Sequence, residues 1–166
     1  MPTPTYIPLG TITLASTDSE IVFSSIPATY RDLILVGSAR STYTPDPNDD
    51  LILQFNADTG ANYTTVGMGG DGTFNFSFTS TNVRAGGLQT SNGGFTGFGT
   101  QIAQLMDYSA TDKQKTILSR SASNAATQAY ASRWANSANA ISSIKLFSSR
   151  GANFAIGSTF SLYGVN

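Results

Sequence analysis

The chain contains no cysteine and no histidine. Without thiolates there is no disulfide framework and no cysteine-based zinc site. Without imidazole, a serine nucleophile lacks its usual general base. Only a Ser–Lys pairing with Lys113, Lys115 or Lys145 would remain, and the polar or alternating surroundings of all three predict solvated ammonium groups. Glutamate occurs once, at Glu20. A glycosidase needs two carboxylates of separated acidity, whereas Asp58, Asp107 and Asp112 stand in turn-type contexts. The expectation is a protein that is not an enzyme and carries no cofactor.

Charge is scarce as well. Charged residues make up 11% of the 166 residues, against roughly 25% in a typical domain. The formal net charge is −1, and the nine basic residues are scattered from Arg31 to Arg150. Nucleic-acid binding requires clustered Lys and Arg to neutralise phosphates, so no nucleic-acid partner is expected. The opening "MPTPTYIPLG" has neither a basic nor an apolar segment of the signal-peptide kind. No run approaches the length of about 18 apolar residues that spans a membrane. A polar but nearly uncharged surface suits close packing against neighbouring subunits, or a virion exterior, better than free circulation.

Short segments of period-2 alternation fill the sequence. They include "TYIPLGTITLA" (5–15), "SEIVFSSI" (19–26), "RDLILVGSARS" (31–41), "LILQFN" (51–56) and "NYTTVGM" (62–68). Further ones are "TFNFSFT" (73–79), "GTQIAQLMDYS" (99–109), "KQKTILSRS" (113–121), "TQAYASRWANS" (127–137), "AISSIKLFSS" (140–149) and the closing "NFAIGSTFSLYGVN" (153–166). The run Leu33–Val36 reads as a central strand with little exposure on either face. Ala-rich 110–140 lacks a capped 3.6-residue stripe and reads as strand despite alanine's helix propensity. The spacing predicts an all-β, antiparallel β-sandwich of jelly-roll type with about ten strands and little helix. No linker or composition shift divides it, so 1–166 is one expected domain.

Two stretches imitate binding motifs. "GMGGDG" places Gly67, Gly69 and Gly72 in a G-x-G-x-x-G pattern, but it leads into a strand, and Ser91, Asn92 and Gly93 stand where an acid is needed. A hairpin connection is the expectation. Asp46, Asn48 and Asp50 occupy the first three ligand positions of a calcium loop, yet Leu51 replaces the turn glycine and Ala57 the closing glutamate. A solvated turn is expected, with these three as the only weak metal candidates. The Gly- and Phe-rich span 67–99 offers Phe74, Phe76, Phe78, Phe95 and Phe98 as candidates for a subunit or shell contact. For Phe74, Phe76 and Phe78 a place in the core fits the alternation equally well. Tyr130 and Trp134 with Arg133 would suit a glycan site, but a core tryptophan is expected.

Three stretches carry a resemblance. "YIPLGTITLASTDSEIVFSSIPATYRDLILVGSARS", "FNADTGANYT" and "ISSIKLFSSRGANFAIGSTFSLYGV" resemble segments of a family of bacteriophage (cyanophage-like) virion structural proteins, whose closing strands finish on "L-Y-G". The resemblance implies a β-sandwich module of the capsid surface or of a tail appendage. A chain that ends on a strand, without an obvious fibre anchor, fits a capsid decoration (cement) subunit. Its partners would be the major capsid protein and further copies of itself, as a homotrimer. It would be made in the host cytoplasm and located on the virion. The alternative is a tail-fibre or tail-tip domain that binds host-surface glycan, with a polysaccharide-acting enzyme as a remoter third.

Overall fold

The structure, a computed structural model, describes residues 4–166. They form twelve strands and a single 3₁₀ turn at Asn92–Gly94. In chain order the strands are β1 (Tyr6–Thr13), β2 (Glu20–Phe23), β3 (Asp32–Ala39), β4 (Asp49–Phe55), β5 (Tyr63–Gly70) and β6 (Asn75–Ser80). Then come β7 (Val83–Leu88), β8 (Gly99–Met106), β9 (Lys115–Ala122), β10 (Thr127–Trp134), β11 (Ile144–Ser148) and β12 (Thr159–Val165). The protein is an antiparallel β-sandwich. Eight strands form one sheet in the order β1-β12-β3-β8-β9-β10-β5-β6, and four form the other in the order β2-β11-β4-β7. Among the described residues no helix is long and apolar enough to cross a membrane.

The chain crosses between layers repeatedly. β1, β3, β8 and β12 lie in the large sheet, whereas β2, β4, β7 and β11 lie in the small one. Two hairpins, β9–β10 and β5–β6, extend the large sheet beyond β8. The core fills the space between the layers. Leu33, Leu35, Leu105, Ile117, Trp134, Phe160 and Leu162 come from the large sheet, and Phe23, Leu51, Leu53, Phe55, Ile144 and Leu146 from the small one. Phe55 and Trp134 meet in a tilted pair, their ring centroids 5.6 Å apart. β12 lies between β1 and β3, so the closing alternation builds an interior strand.

Three sequence expectations need correction. Val83–Leu88, absent from the alternating segments of the sequence, forms β7, an edge strand of the small sheet, so the Gly-rich 84–99 begins in a strand. Gly86 and Gly87 serve close approach between layers. A Cβ at Gly86 would lie 2.5 Å from Ser121 Cβ, and one at Gly87 would run into the Gln128 amide. Likewise Gly67, Gly69 and Gly70 of "GMGGDG" belong to β5. The turn itself is shorter, with Asp71 Oδ1 accepting the backbone N–H groups of Thr73 and Phe74.

The second correction is Lys115, which is fully buried. Its ammonium donates to the carbonyls of Lys113 (3.1 Å) and Asn136 (3.0 Å) and stands 5.7 Å from the centre of the Trp134 ring. Burial pulls its pKa down, with Asp112 opposing. Backbone carbonyls and a π face do here what water does for an exposed lysine. The third is β3: Leu33 and Leu35 are buried, but Val36 is 40% exposed. Nothing in the described chain lies over the outer face of the large sheet at that point.

Candidate functional site

Strand register aligns the outer face of the large sheet into rows. Tyr163 pairs with Ile34, Ile34 with Gln104, Gln104 with Leu118, Leu118 with Ala131, and Ala131 with Val66. The adjacent row runs Val36, Ile102, Arg120, Ala129, Met68. Leu118 is 47% exposed, Val66 58% and Met68 66%. Arg120 is the one charged side chain in these two rows. Scattered apolar residues are ordinary on a surface, but here two adjacent stretches are mostly apolar, broken by Gln104 and Arg120 and bordered by Ser161, Ser77 and Thr79, and an enlarged apolar patch of this kind marks an interaction site. The expected contact residues in 67–99 did not include this face, apart from the strand that carries Met68. The sequence did hold a signal for it. Four consecutive apolar residues in β3 are the pattern of a strand covered on both faces, and this chain covers only one.

The expected Phe contacts do not form one surface. Phe74 sits in the β5–β6 turn, 70% exposed. Phe95 and Phe98 lie on the β7–β8 connection, both partly exposed, with the Arg40 guanidinium 5.8 Å from the Phe98 ring centre. Phe76 and Phe78 alternate inward along β6, each half-buried and each opposite a glycine, Gly69 and Gly67. They stack on one another at 6.2 Å with planes 26° apart. Neither joins the central core.

Phe76 and Phe78 form one wall of a cleft of about 440 Å³ between the β5–β6 hairpin and the β4–β7 pair. Asp50, Arg84, Gln128 and Arg150 line the rest. Arg84 forms an ion pair with Asp50, and its guanidinium stands 4.7 Å from the Phe78 ring centre. The Tyr130 hydroxyl lies 3.1 Å from Asp50 Oδ1 and 2.6 Å from Gln128 Oε1, so its single proton goes to one of them at a time. Burial holds the Asp50 pKa above the ordinary carboxylate range, against the pull of Arg84 and the Tyr130 hydrogen bond. Burial, reinforced by the nearby Asp50 charge, pushes the Tyr130 phenol well above its usual value. Tyr130 and Trp134 themselves are buried rather than displayed on a glycan-facing surface.

The calcium-loop candidates face arginines. Asp46 Oδ1 accepts the Asn48 backbone N–H at 2.8 Å, while its Oδ2 lies 3.9 Å from Arg150. Asp50 is turned to Arg84 and Tyr130. Arg150 Nε donates to the Asn48 backbone carbonyl at 3.2 Å. Among the described residues no three acidic, histidine or cysteine side chains converge as a metal site would require.

No family model, curated protein or solved structure matches the chain.

Proposed function

We propose that the protein is a structural subunit of a phage virion that decorates and stabilises the outer capsid surface without chemistry. One observation carries this reading: the rows of exposed apolar side chains on the outer face of the eight-stranded sheet, centred on Leu118, Val66 and Met68. We assign that face to contact with the capsid shell. The shell then covers the second face of β3, whose run Leu33–Val36 is apolar on both sides.

The topology supports the same reading. We interpret the alternation of β1-β12-β3-β8 over β2-β11-β4-β7 as a jelly roll with two added hairpins. That architecture is frequent among viral capsid domains and lectins, although a fold by itself assigns no function. The sequence resemblance to phage virion proteins points the same way. The subunit acts as a homotrimer, and many copies on one shell allow modest individual contacts to sum to a durable reinforcement.

The deciding measurement is quantitative mass spectrometry of purified virions. On the order of hundreds of copies per particle is the expectation for a symmetric shell. A few dozen copies or fewer, located at the tail, would overturn the capsid reading in favour of a glycan-binding tail module. The paired variant Leu118→Lys, Val66→Lys should keep its melting temperature and oligomeric state but lose binding to undecorated capsids.

A further inference from the structure

We propose that the cleft walled by Phe76 and Phe78 binds an uncharged sugar residue of a glycan. This goes beyond the decorating role and does not depend on the place of the subunit in the virion. The cleft, at about 440 Å³, falls within the range of roughly 300–1,000 Å³ typical of small-ligand sites.

Its charges select for neutrality. Two carboxylates, Asp49 and Asp50, and two guanidinium groups, Arg84 and Arg150, line it. Asp50 is paired with Arg84, and Asp49 accepts hydrogen bonds from the hydroxyls of Ser148 and Ser149. An anion would meet the carboxylates and a cation the guanidinium groups, so neither is favoured. A molecule dense in hydroxyls suits both, because each hydroxyl donates to one kind of group and accepts from the other. The side-chain amides of Asn82 and Gln128 add planar groups that present donor and acceptor together.

The aromatic wall supplies the remaining element. Arg84 stands over Phe78 and the Tyr130 ring meets it edge-on, with ring centroids 5.7 Å apart. Phe78 is thereby held in place as a support. Phe76 stacks on it and stays half-exposed along the cleft. A rigid aromatic face beside hydrogen-bonding groups is what the apolar C–H face of a pyranose ring requires, while its hydroxyl edge reaches the polar wall. Gly87, also in the lining, has no Cβ and so lets the Gln128 amide come close and take its place in the polar wall.

The test is a titration of the isotope-labelled full chain with the methyl glycosides of glucose, galactose and mannose and with N-acetylglucosamine, followed by two-dimensional NMR. Sialic acid, inorganic phosphate and calcium chloride serve as charged comparison probes. The expected result is a saturable shift of the Phe76, Gly87 and Gln128 resonances with at least one neutral sugar. Phe76→Ala should then weaken binding roughly tenfold, the worth of one aromatic contact, while Phe76→Tyr retains it. Should Phe76→Ala fail to fold, Asn82→Ala on the polar wall must weaken binding instead. Absence of shifts with every neutral sugar, shifts with the charged probes alone, or unchanged affinity in the folded variants would overturn the proposal.

Discussion

Trp134 donates its indole N–H to Asp58 Oδ2 at 2.7 Å, tying the end of β10 to the turn between β4 and β5. Asn62 and the Gly60 backbone also donate to this carboxylate, and Tyr63 donates its hydroxyl to the Asp58 carbonyl at 2.9 Å. The Trp134 hydrogen bond, then those from Asn62 and Gly60, hold the Asp58 pKa below its ordinary 3.8. Asp58→Ala leaves a buried indole N–H without an acceptor. The expected loss is about 1–3 kcal/mol, read as a fall in Tm of roughly 2–10 °C. Because the folded pKa is depressed, the carboxylate's contribution is complete above the ordinary value and is lost as the pH falls through the depressed one. The variant should therefore show a shallower decline of Tm with acidification below about pH 4 than the parent.

Lys115 should resist chemistry that reaches its neighbours. Under native conditions an amine-acylating reagent should modify Lys113 and Lys145, which are partly exposed, and leave the buried Lys115 untouched. Denaturation should make all three react. Peptide mass spectrometry reads the result, and native acylation of Lys115 at the rate of Lys113 would contradict the burial.

Gly86→Ala tests why β7 is rich in glycine. The position has φ of 148°, and an added Cβ would meet the Ser121 Cβ of the opposite layer. Both effects oppose the substitution, at a cost on the order of 1–3 kcal/mol for a forced contact. Thermal melting should show a larger decrease for Gly86→Ala than for Gly93→Ala, where an added Cβ meets nothing and only the left-handed backbone opposes the change.

The strands that alternate cleanly were legible in the sequence. β9, β10 and β12 stand where their period-2 patterns put them, and the Ala-rich span 110–140 holds two of them, β9 and β10, and no helix. β7 was hidden because its glycines, required by the approach of Ser121 and Gln128 from across the sandwich, look locally like a loop. Lys115 was misread because only tertiary packing brings the Asn136 carbonyl and Trp134 to it. The cleft combines Asp50, Phe76, Arg84 and Gln128, separated in sequence and joined only by sheet order. Sequence reasoning singled out Phe76 and Phe78, yet had no means of seeing that arginine and aspartate face them.

Removal of residues 158–166 should abolish folding. β12 pairs with β1 on one side and β3 on the other, and it brings Phe160 and Leu162 into the core. Burial of two such side chains is worth about 1.5–3 kcal/mol each, and the deletion also leaves β1 and β3 with unpaired edges. The truncated protein should be insoluble or fail to melt cooperatively. A soluble truncation with a sharp transition would show that β12 is dispensable.

The pairing of β1 with β12 sets Tyr6 directly opposite Val165. Tension applied through these two positions would load the ladder at one end, and its hydrogen bonds would break in succession, like the teeth of a zipper. β1 is an edge of the large sheet, so this pair is where a pull would begin to peel it away.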